Sequence, residues 1–447
     1  MFFAELPCRP SGIFLLVLLA LPFSARADDL LGLYREAQRM DARYLAAQAD
    51  TAARRELLPQ ARAQLLPNLS LSASRGRNST EQKSGTVESE QEYDNRNDTL
   101  SLRQPVFRPR EFAGWKQAGA QVESAEAALN WAGQEMALRL GSAYFDVLFA
   151  QAEVDVNRAQ RDACQTQIDY AERAFRAGAG TRTDIDEARA QLDLTEARAI
   201  ELQYQLDYRH DALSRLVDRP LTPLATLDPA RLPTPLPLPD PVRLEEWVQK
   251  AENTHPNLIA LRAQVEAATR EIDKARAGHL PTLDLVAQRV KSESDSHTSI
   301  GNKYDTSTIS LQLVVPLFAG GGVNASVRQA VAEVDKARQQ LEAARRETGL
   351  QVRQAFDGVS QGVHWVRAYE QAVKSAEQSL LSTRKGFQAG TRNTVDILNA
   401  EQSLAAARRD LNRGRYQYML ARLQLLAQVG GLDEVEIARM NAWLAAE

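Results

Sequence analysis

Two stretches decide the fold: FRAGAGTRTDIDEA at residues 175–188 and FQAGTRNTVDILNA at residues 387–400. They share Phe-x-Ala-Gly and Asp-Ile-x-x-Ala at a constant spacing of 212. Other pairs recur at nearly the same spacing. ARAQLLP at 61–67 returns as ARAGHLP at 275–281, and QPVF at 104–107 returns as VPLF at 315–318. A period this long marks one duplicated unit rather than a solenoid of short repeats. Eight of the 18 prolines lie between 220 and 241. Such a run is neither helix nor central strand, so it reads as an extended linker. The chain therefore divides into a first repeat at 28–219, the linker at 220–241, a second repeat at 242–431 and a short helix within 432–447.

Both repeats have the same order of elements. A helix (about 41–65 and about 256–278) precedes two short alternating segments that flank a polar loop. A very long helical stretch follows, about 109–176 and about 322–387. A short glycine turn then leads into a second helix, about 183–217 and about 394–429. At 1.5 Å per residue each long stretch is roughly 100 Å, several domain diameters. Such a helix needs neighbours along its whole length. The second helices show how they are supplied. Ile185, Ala188, Leu192, Thr195, Ala199, Leu202, Leu206, Arg209, Leu213 and Leu216 alternate spacings of three and four. The copy runs Ile397, Ala400, Leu404, Ala407, Leu411, Gly414, Tyr418, Ala421, Leu425 and Gln428. About five heptads without drift predict a left-handed coiled coil, loosened where Thr195, Arg209, Gly414 and Gln428 interrupt it.

Composition narrows the class. Of 447 residues, 44% are hydrophobic, 6% aromatic and 25% charged, which suits long alanine-rich helices better than a thick core. The formal charge of −4, with no basic block, argues against a nucleic-acid partner. Residues 1–27 read as a secretory signal: a nine-residue apolar run at 13–21, Pro22, then Ala25-Arg26-Ala27 before Asp28. Cleavage there removes Cys8 and leaves Cys164 alone, so the exported chain has no internal disulfide. Cys164 reads as a packed or partly exposed bystander.

The short segments alternate with period two. Leu69, Leu71 and Ala73 oppose serines over 68–74, Leu100 and Leu102 oppose Ser101 and Arg103, and Ile309, Leu311 and Leu313 oppose Ser310 and Gln312. The pattern over 283–290 is weaker. The polar stretches 78–97 and 292–306 read as loops. Two settings produce such segments: soluble hairpins on a core, or strands of a membrane barrel, which cross the apolar layer in about 9–11 residues. With a signal peptide the barrel is favoured. Four strands cannot close a barrel, whose small end is about eight, so copies must associate, and three would give twelve strands. Pro105 and Pro316 should end the second strand of each pair, with Phe107 and Phe318 at an interfacial aromatic girdle.

At this point the order of elements resembles the TolC family of outer-membrane export ducts, over roughly residues 30–431. The most specific stretches are VPLFAGGGVN at 315–324 and GFQAGTRNTVDILNA at 386–400. The resemblance implies a mostly α, mixed α/β membrane protein. It would be a trimeric duct, with a twelve-stranded outer-membrane β-barrel of four strands per chain and a long periplasmic α-helical coiled-coil barrel. It implies a homotrimer set in outer-membrane lipid, with an inner-membrane transporter and a periplasmic adaptor docking at the helical tip. Gly178 and Gly390 fall in the turns where the family meets its adaptor; Ala177 and Ala389 stand where a β-branched residue is common. The resemblance assigns a periplasmic gate to Asp184 with Arg392, and to Thr183 with Arg415. It assigns a constriction ring to Asp396. Phe387 stands where a tyrosine is usual and loses a phenol hydrogen bond. Asn399 stands where a second aspartate is usual and thins the negative ring. Asp184 and Asp396 have a simpler reading beside this one: an acid in the first turn of a helix, favoured by the helix dipole.

No catalytic constellation is visible. The five histidines show no metal spacing, and Gly320–Gly322 lacks the Lys-Ser/Thr of a phosphate loop. The expectation is a non-enzymatic protein without cofactor. Two function classes stay open, a passive export duct and a periplasmic coiled-coil scaffold without a pore. Within the first, type I secretion of an unfolded protein with an ABC transporter is favoured on the resemblance. The alternative is multidrug or small-molecule efflux with a proton-driven pump.

Overall fold

The computed structural model describes residues 27–296 and 299–445. The signal segment lies outside them, except for Ala27.

The glycine turns bound the longest elements to within a residue of their expected ends. Helix α4 (Pro109–Arg176) has 68 residues and α8 (Gly322–Gln388) has 67. Each folds back into a shorter partner, α5 (Arg182–Val217) and α9 (Thr394–Gln428). Eight of the ten heptad positions on α9 are buried, Ile397, Leu404, Leu411, Gly414, Tyr418, Ala421, Leu425 and Gln428, and Leu398, Met419 and Leu423 are buried beside them. Packing of α8 on α9 is close at Gly358, where a Cβ would stand 2.9 Å from the Ala421 methyl, and at Gly362, where one would stand 3.2 Å from the Tyr418 ring.

A second device on α8 and α9 lies beside the apolar seam. Glu370, Glu377 and Arg384 recur every seven residues on α8 and face Arg415, Arg408 and Glu401 on α9. The first two pairs measure 3.0 and 2.9 Å. The run is antiparallel and keeps one register over three rungs, as e and g charges do in a coiled coil. At the matching place of the first repeat stands Glu172–Arg189, 2.7 Å, with the charges reversed.

The helix expected at 41–65 starts where expected but is broken at Glu56 into α2 (Ala42–Arg55) and α3 (Leu57–Ala63), and a further helix, α1 (Leu30–Met40), precedes it. Asp41 separates α1 from α2: its carboxylate caps α2 through Tyr44 N–H at 2.7 Å and is held by Arg139. The second repeat breaks at the equivalent place, between α6 (Leu244–Thr254) and α7 (Pro256–Arg276). There His255 is the cap: its Nδ1 accepts the Asn257 N–H at 3.2 Å. Pro256 then occupies the first helical position, where its missing N–H costs nothing.

The proline segment is a strap rather than a free linker. Three buried aromatic donors hold its carbonyls: Tyr144 Oη to Ala225, Tyr418 Oη to Pro237 and Trp247 Nε1 to Pro241, each at 2.7 Å. Helix α10 (Glu434–Asn441) closes against the start of the chain, where Asn441 Nδ2 donates to Asp29 at 2.8 Å. Leu30, Leu33, Ile437, Met440 and Leu444 share one core with the middle of α4, α8 and α9.

The strands form one antiparallel sheet in chain order, β1 (Asn68–Ser84), β2 (Val87–Phe107), β3 (Thr282–Ser296) and β4 (Ser299–Val314). Register puts Leu69, Leu102, Ala287 and Ile309 in one row and Ser70, Ser101, Gln288 and Thr308 in the next, on the other face. Leu71, Ile309, Leu311 and Leu313 are 62–79% exposed, so the apolar face has no protein over it. Most of the stretches read as polar loops are strand. The ladder continues to Ser84 opposite Val87, with Gly85 at φ 64° in the turn. Both faces are polar there, so period-two hydrophobicity vanishes while backbone pairing persists. Cross-strand pairs such as Arg77–Asp94 and Lys303–Glu293 replace apolar contacts. Nor does Pro105 end its strand. Strand β2 runs to Phe107 through a register shift, the place in a sheet where a proline is tolerated.

His255 is 2% exposed, stacks on Trp131 at 4.5 Å and meets Gln428 Oε1 at 3.1 Å through Nε2. Burial holds its pKa below the usual value. The unfolded chain therefore takes up a proton first as pH falls. The stability owed to the neutral ring is complete above about pH 6.5 and drains away below it, through the folded value. His255→Asn keeps a capping side chain and loses the titration. Its thermal unfolding should depend less on pH than the parent's between about pH 7 and pH 5; an unchanged slope would place the titrating group elsewhere.

Candidate functional site: the helical tip

The tip is built from helix ends. Helix α4 stops in a Schellman turn. Ala179 N–H reaches the Ala174 carbonyl at 2.9 Å and Gly178 N–H the Phe175 carbonyl at 3.0 Å, with Gly178 at φ 71°. Helix α8 stops the same way: Thr391 N–H to Gly386 at 2.9 Å, Gly390 N–H to Phe387 at 3.0 Å, and Gly390 at φ 76°. Gly178 and Gly390 are exposed at the turns.

Each following helix starts with a capping box. Asp184 accepts from Thr181 N–H at 2.9 Å and Thr181 Oγ1 at 2.7 Å, while Asp184 N–H donates back to that hydroxyl at 3.2 Å. Asp396 accepts from Asn393 N–H at 3.0 Å, and its own N–H donates to Asn393 Oδ1 at 2.8 Å. The Thr181 hydroxyl, above all, lowers the Asp184 pKa, so this carboxylate stays ionised. The simple helix-start reading of both aspartates holds. Their partners Thr181 and Asn393 were visible as Thr-x-x-Asp and Asn-x-x-Asp spacings.

The arginines have partners other than the expected ones. Within the chain Arg392 lies 3.7 Å from Asp396, four residues on, rather than on Asp184. Arg415 lies 3.0 Å from Glu370. The Thr183–Arg415 tether does not fit this fold. Thr183 is in the first turn of α5, and α5 and α9 run side by side from their starts, since Ala188 and Leu398 share one buried cluster. Arg415 follows Thr394 by 21 residues, about 32 Å along α9, beyond the reach of an arginine. It belongs to the charge ladder. Thr183 and Asn399 are exposed at the tip. Phe387 is half-buried with its ring edge against Tyr170 at 5.2 Å, an apolar contact between α8 and α4. Cys164 is buried with Ile168, Ala188 and Leu398 just above.

At the other end of α4, Asp284 of β3 is 3% exposed and accepts from both Arg103 of β2 and Arg108, the residue preceding α4. This clasp fixes the sheet to the long helix. Among the described residues no group of acids, histidines or cysteines could hold a metal ion, and no helix is long and apolar enough to cross a membrane. The latter says nothing of the sheet.

A sheet with one bare apolar face, set on hairpins about 100 Å long that end in a charged tip, defines a channel-type outer-membrane protein. The profile of the outer membrane efflux protein family matches residues 33–218 and 247–431, the two repeats, and the chain belongs to that family. It is 34% identical over 444 residues to the proteases secretion protein PrtF of Dickeya chrysanthemi, covering 97% of this chain and 95% of the relative. It is 35% identical over 437 residues to the alkaline protease secretion protein AprF of Pseudomonas aeruginosa, covering 96% and 90%. The Campylobacter jejuni CmeC outer membrane channel shares the fold at TM-score 0.78 and 15% identity, over 92% of this chain and 89% of that one.

Arg415→Ala should lower the thermal stability of the helical part by up to about 1 kcal/mol, since the pair is only partly shielded from water. Glu370→Arg combined with Arg415→Glu should recover part of that loss in circular-dichroism melts. A double variant no more stable than the worse single one would show that the two residues do not act as a pair.

Proposed function

We propose that three copies of this chain form a passive outer-membrane duct for type I secretion of an unfolded protein. The observation that carries the secretion reading is the end-to-end similarity to two protease secretion proteins, at 34% and 35% identity over at least 90% of each relative. Physical arguments support assembly. Strands β1 and β4 are the edges of the four-stranded sheet, and an open edge is not tolerated in lipid. Three sheets of four close a twelve-stranded barrel around the polar face and turn the leucine rows to outer-membrane lipid. Ile200, Tyr204 and Tyr208 on α5 are 75%, 71% and 63% exposed, an apolar stripe that a neighbouring copy would cover.

The helical hairpins then form a periplasmic tunnel of twelve long helices. A periplasmic adaptor meets the Gly178 and Gly390 turns, and an inner-membrane ABC transporter supplies the energy. The mouth closes when Arg392 swings from Asp396 to Asp184. Asp396 and Asp184 line a negative ring that Asn399 leaves thinner, and such a ring favours cations. A duct of this kind has no chemistry to perform, so no enzyme activity and no cofactor are assigned to it.

The test compares culture-supernatant proteins from the parent strain and a deletion strain by mass spectrometry. One or a few proteins should vanish outside and accumulate within. Matching supernatants, with greater susceptibility of the deletion strain to toxic compounds, would replace secretion with small-molecule efflux.

A further inference from the structure

We propose that the outward face of the barrel carries, directly beyond its apolar rows, a basic band that binds the phosphate groups of outer-leaflet lipid. The inference rests on the closed barrel proposed above and is independent of what the duct exports.

Side chains of a strand alternate between faces, so the register sorts the residues of the sheet into two sets. On the face opposite the leucines, even positions 70–82 of β1, 286–292 of β3 and 302–312 of β4 and odd positions 89–101 of β2 hold no Asp, Glu, Lys or Arg. Most of them are Ser, Thr, Asn and Gln. Over the same spans every charge stands on the leucine face. Charge that served only to keep the hairpins in water would gain nothing from being one-sided, since the interior of such a barrel is wet as well. Segregation of this kind answers to something present on the outside alone.

The charges are also ordered by height. The strands join their helices at Asn68, Phe107, Thr282 and Val314, so the hairpin ends lie on the far side of the membrane from the helical tunnel. Next to the leucine rows come Arg75, Arg77, Arg96, Arg289, Lys291 and Lys303, six cations among the four acids Asp94, Asp98, Glu293 and Asp305. Beyond them the β1–β2 hairpin turns acidic, with Glu81, Glu88, Glu90 and Glu92 around Lys83. The apolar rows begin at Leu283 on β3 and the cations at Arg289, about 20 Å further along the strand. The apolar band of a membrane barrel is about 25 Å tall. The basic band therefore stands where hydrocarbon gives way to headgroups, and the acidic end lies in water beyond it.

Within the band each central acid is shared by two cations. Asp98 holds Arg75 at 2.8 Å and Arg96 at 2.9 Å; Asp305 holds Arg289 at 2.8 Å and Lys291 at 3.8 Å. Asp98 stands opposite Lys291 in the register, which makes one group of four cations on two acids. One positive charge per acid is left over, and all four cations are exposed. Arginine forks and lysine ammonium groups both suit phosphate oxygens. The leucine rows below would hold the acyl chains of the same lipid.

The experiment uses the purified full-length protein in a non-ionic detergent. Native mass spectrometry follows binding of lipid A, a bisphosphorylated glycolipid, and of its monophosphoryl form with the same acyl chains. The parent should hold the bisphosphoryl form more tightly. Arg75→Gln combined with Lys291→Gln removes the surplus cation from each acid and leaves Asp98 with Arg96 and Asp305 with Arg289. Two cations lost at an anionic lipid should weaken binding of the bisphosphoryl form roughly thirtyfold. Glu90→Gln combined with Glu92→Gln, at the acidic end, should not weaken it. Inorganic phosphate should not displace the lipid, since a free anion has no acyl chains for the leucine rows. Heat-modifiable migration confirms assembly, and Lys291→Gln alone, at about fivefold weaker binding, is the second variant should the pair hinder it. Parent-level binding by the assembled cation variants would overturn the band. So would equal affinity of the parent for both lipids, or displacement by inorganic phosphate, which would make the group a free-anion site. A parent that migrates as a monomer before heating would sink the closed barrel, and this inference with it.

Discussion

A helix of 68 residues with apolar positions along its length must bury them, and the rest of this molecule follows from having two of that length class. Each must be covered along about 100 Å by something equally long. The chain meets that demand first with itself, folding each helix back on a partner through a Schellman turn. Every other part of the helical body serves the same demand at its own level. The ladder from Glu370–Arg415 to Arg384–Glu401 holds α8 and α9 to one register. The strap at 220–241 and helix α10 wrap the middle, where Tyr144 and Tyr418 convert a proline-rich segment, unable to bond to itself, into part of the core. Faces that remain bare, such as Ile200, Tyr204 and Tyr208, are what one chain cannot cover alone.

The sheet poses the same problem in a different solvent. In lipid the unpaired element is a backbone edge rather than a helix flank, and it cannot be met by side chains. The two halves must also be joined rigidly, because a long lever on a loose sheet would strain whichever end is held. Asp284 with Arg103 and Arg108 makes that joint, at the point where β2 gives way to α4. A carboxylate 3% exposed between two guanidinium groups is tolerable because both partners are present; removing either arginine would leave a buried charge half-compensated.

The sequence was most legible where one local rule acted alone. Gly178 and Gly390 end helices because a left-handed residue is needed there, and those boundaries came out within a residue. The heptad seam was legible for the same reason. Legibility failed where a tertiary partner overrode the local pattern. The helix starts beside Asp41 and His255 came out near 41 and 256, yet the helices before them, α1 and α6, and the partners Arg139 and Gln428 that hold the two caps were not foreseen. The outer halves of the strands were invisible because hydrophobic alternation reports burial, and neither face is buried there. The charge ladder could have been found, since Glu370, Glu377 and Arg384 recur at seven. The apolar heptad drew attention away from the charges beside it. At the tip, within one chain, Asp184 and Asp396 cap helices while Arg392 and Arg415 pair with Asp396 and Glu370, contacts that the resemblance did not suggest. A resemblance transfers positions, while distances along a helix have to be measured.

A tip that is to hold and then release, as proposed for this duct, can draw on those capping aspartates. Asp184 and Asp396 each satisfy the start of a helix before they do anything else, a role worth about 1 kcal/mol per cap. A residue already fixed by its cap pays little entropy to accept one more donor, so each is a preorganised carboxylate for an arginine such as Arg392. The same capping keeps the helix intact when such a donor leaves. A mouth built on uncapped acids would fray as it opened. In the proposed gate the bonds that change would be side-chain bonds between helices, while the capping bonds that define each helix stay in place. Closing strength and structural integrity would then rest on separate interactions of the same two aspartates.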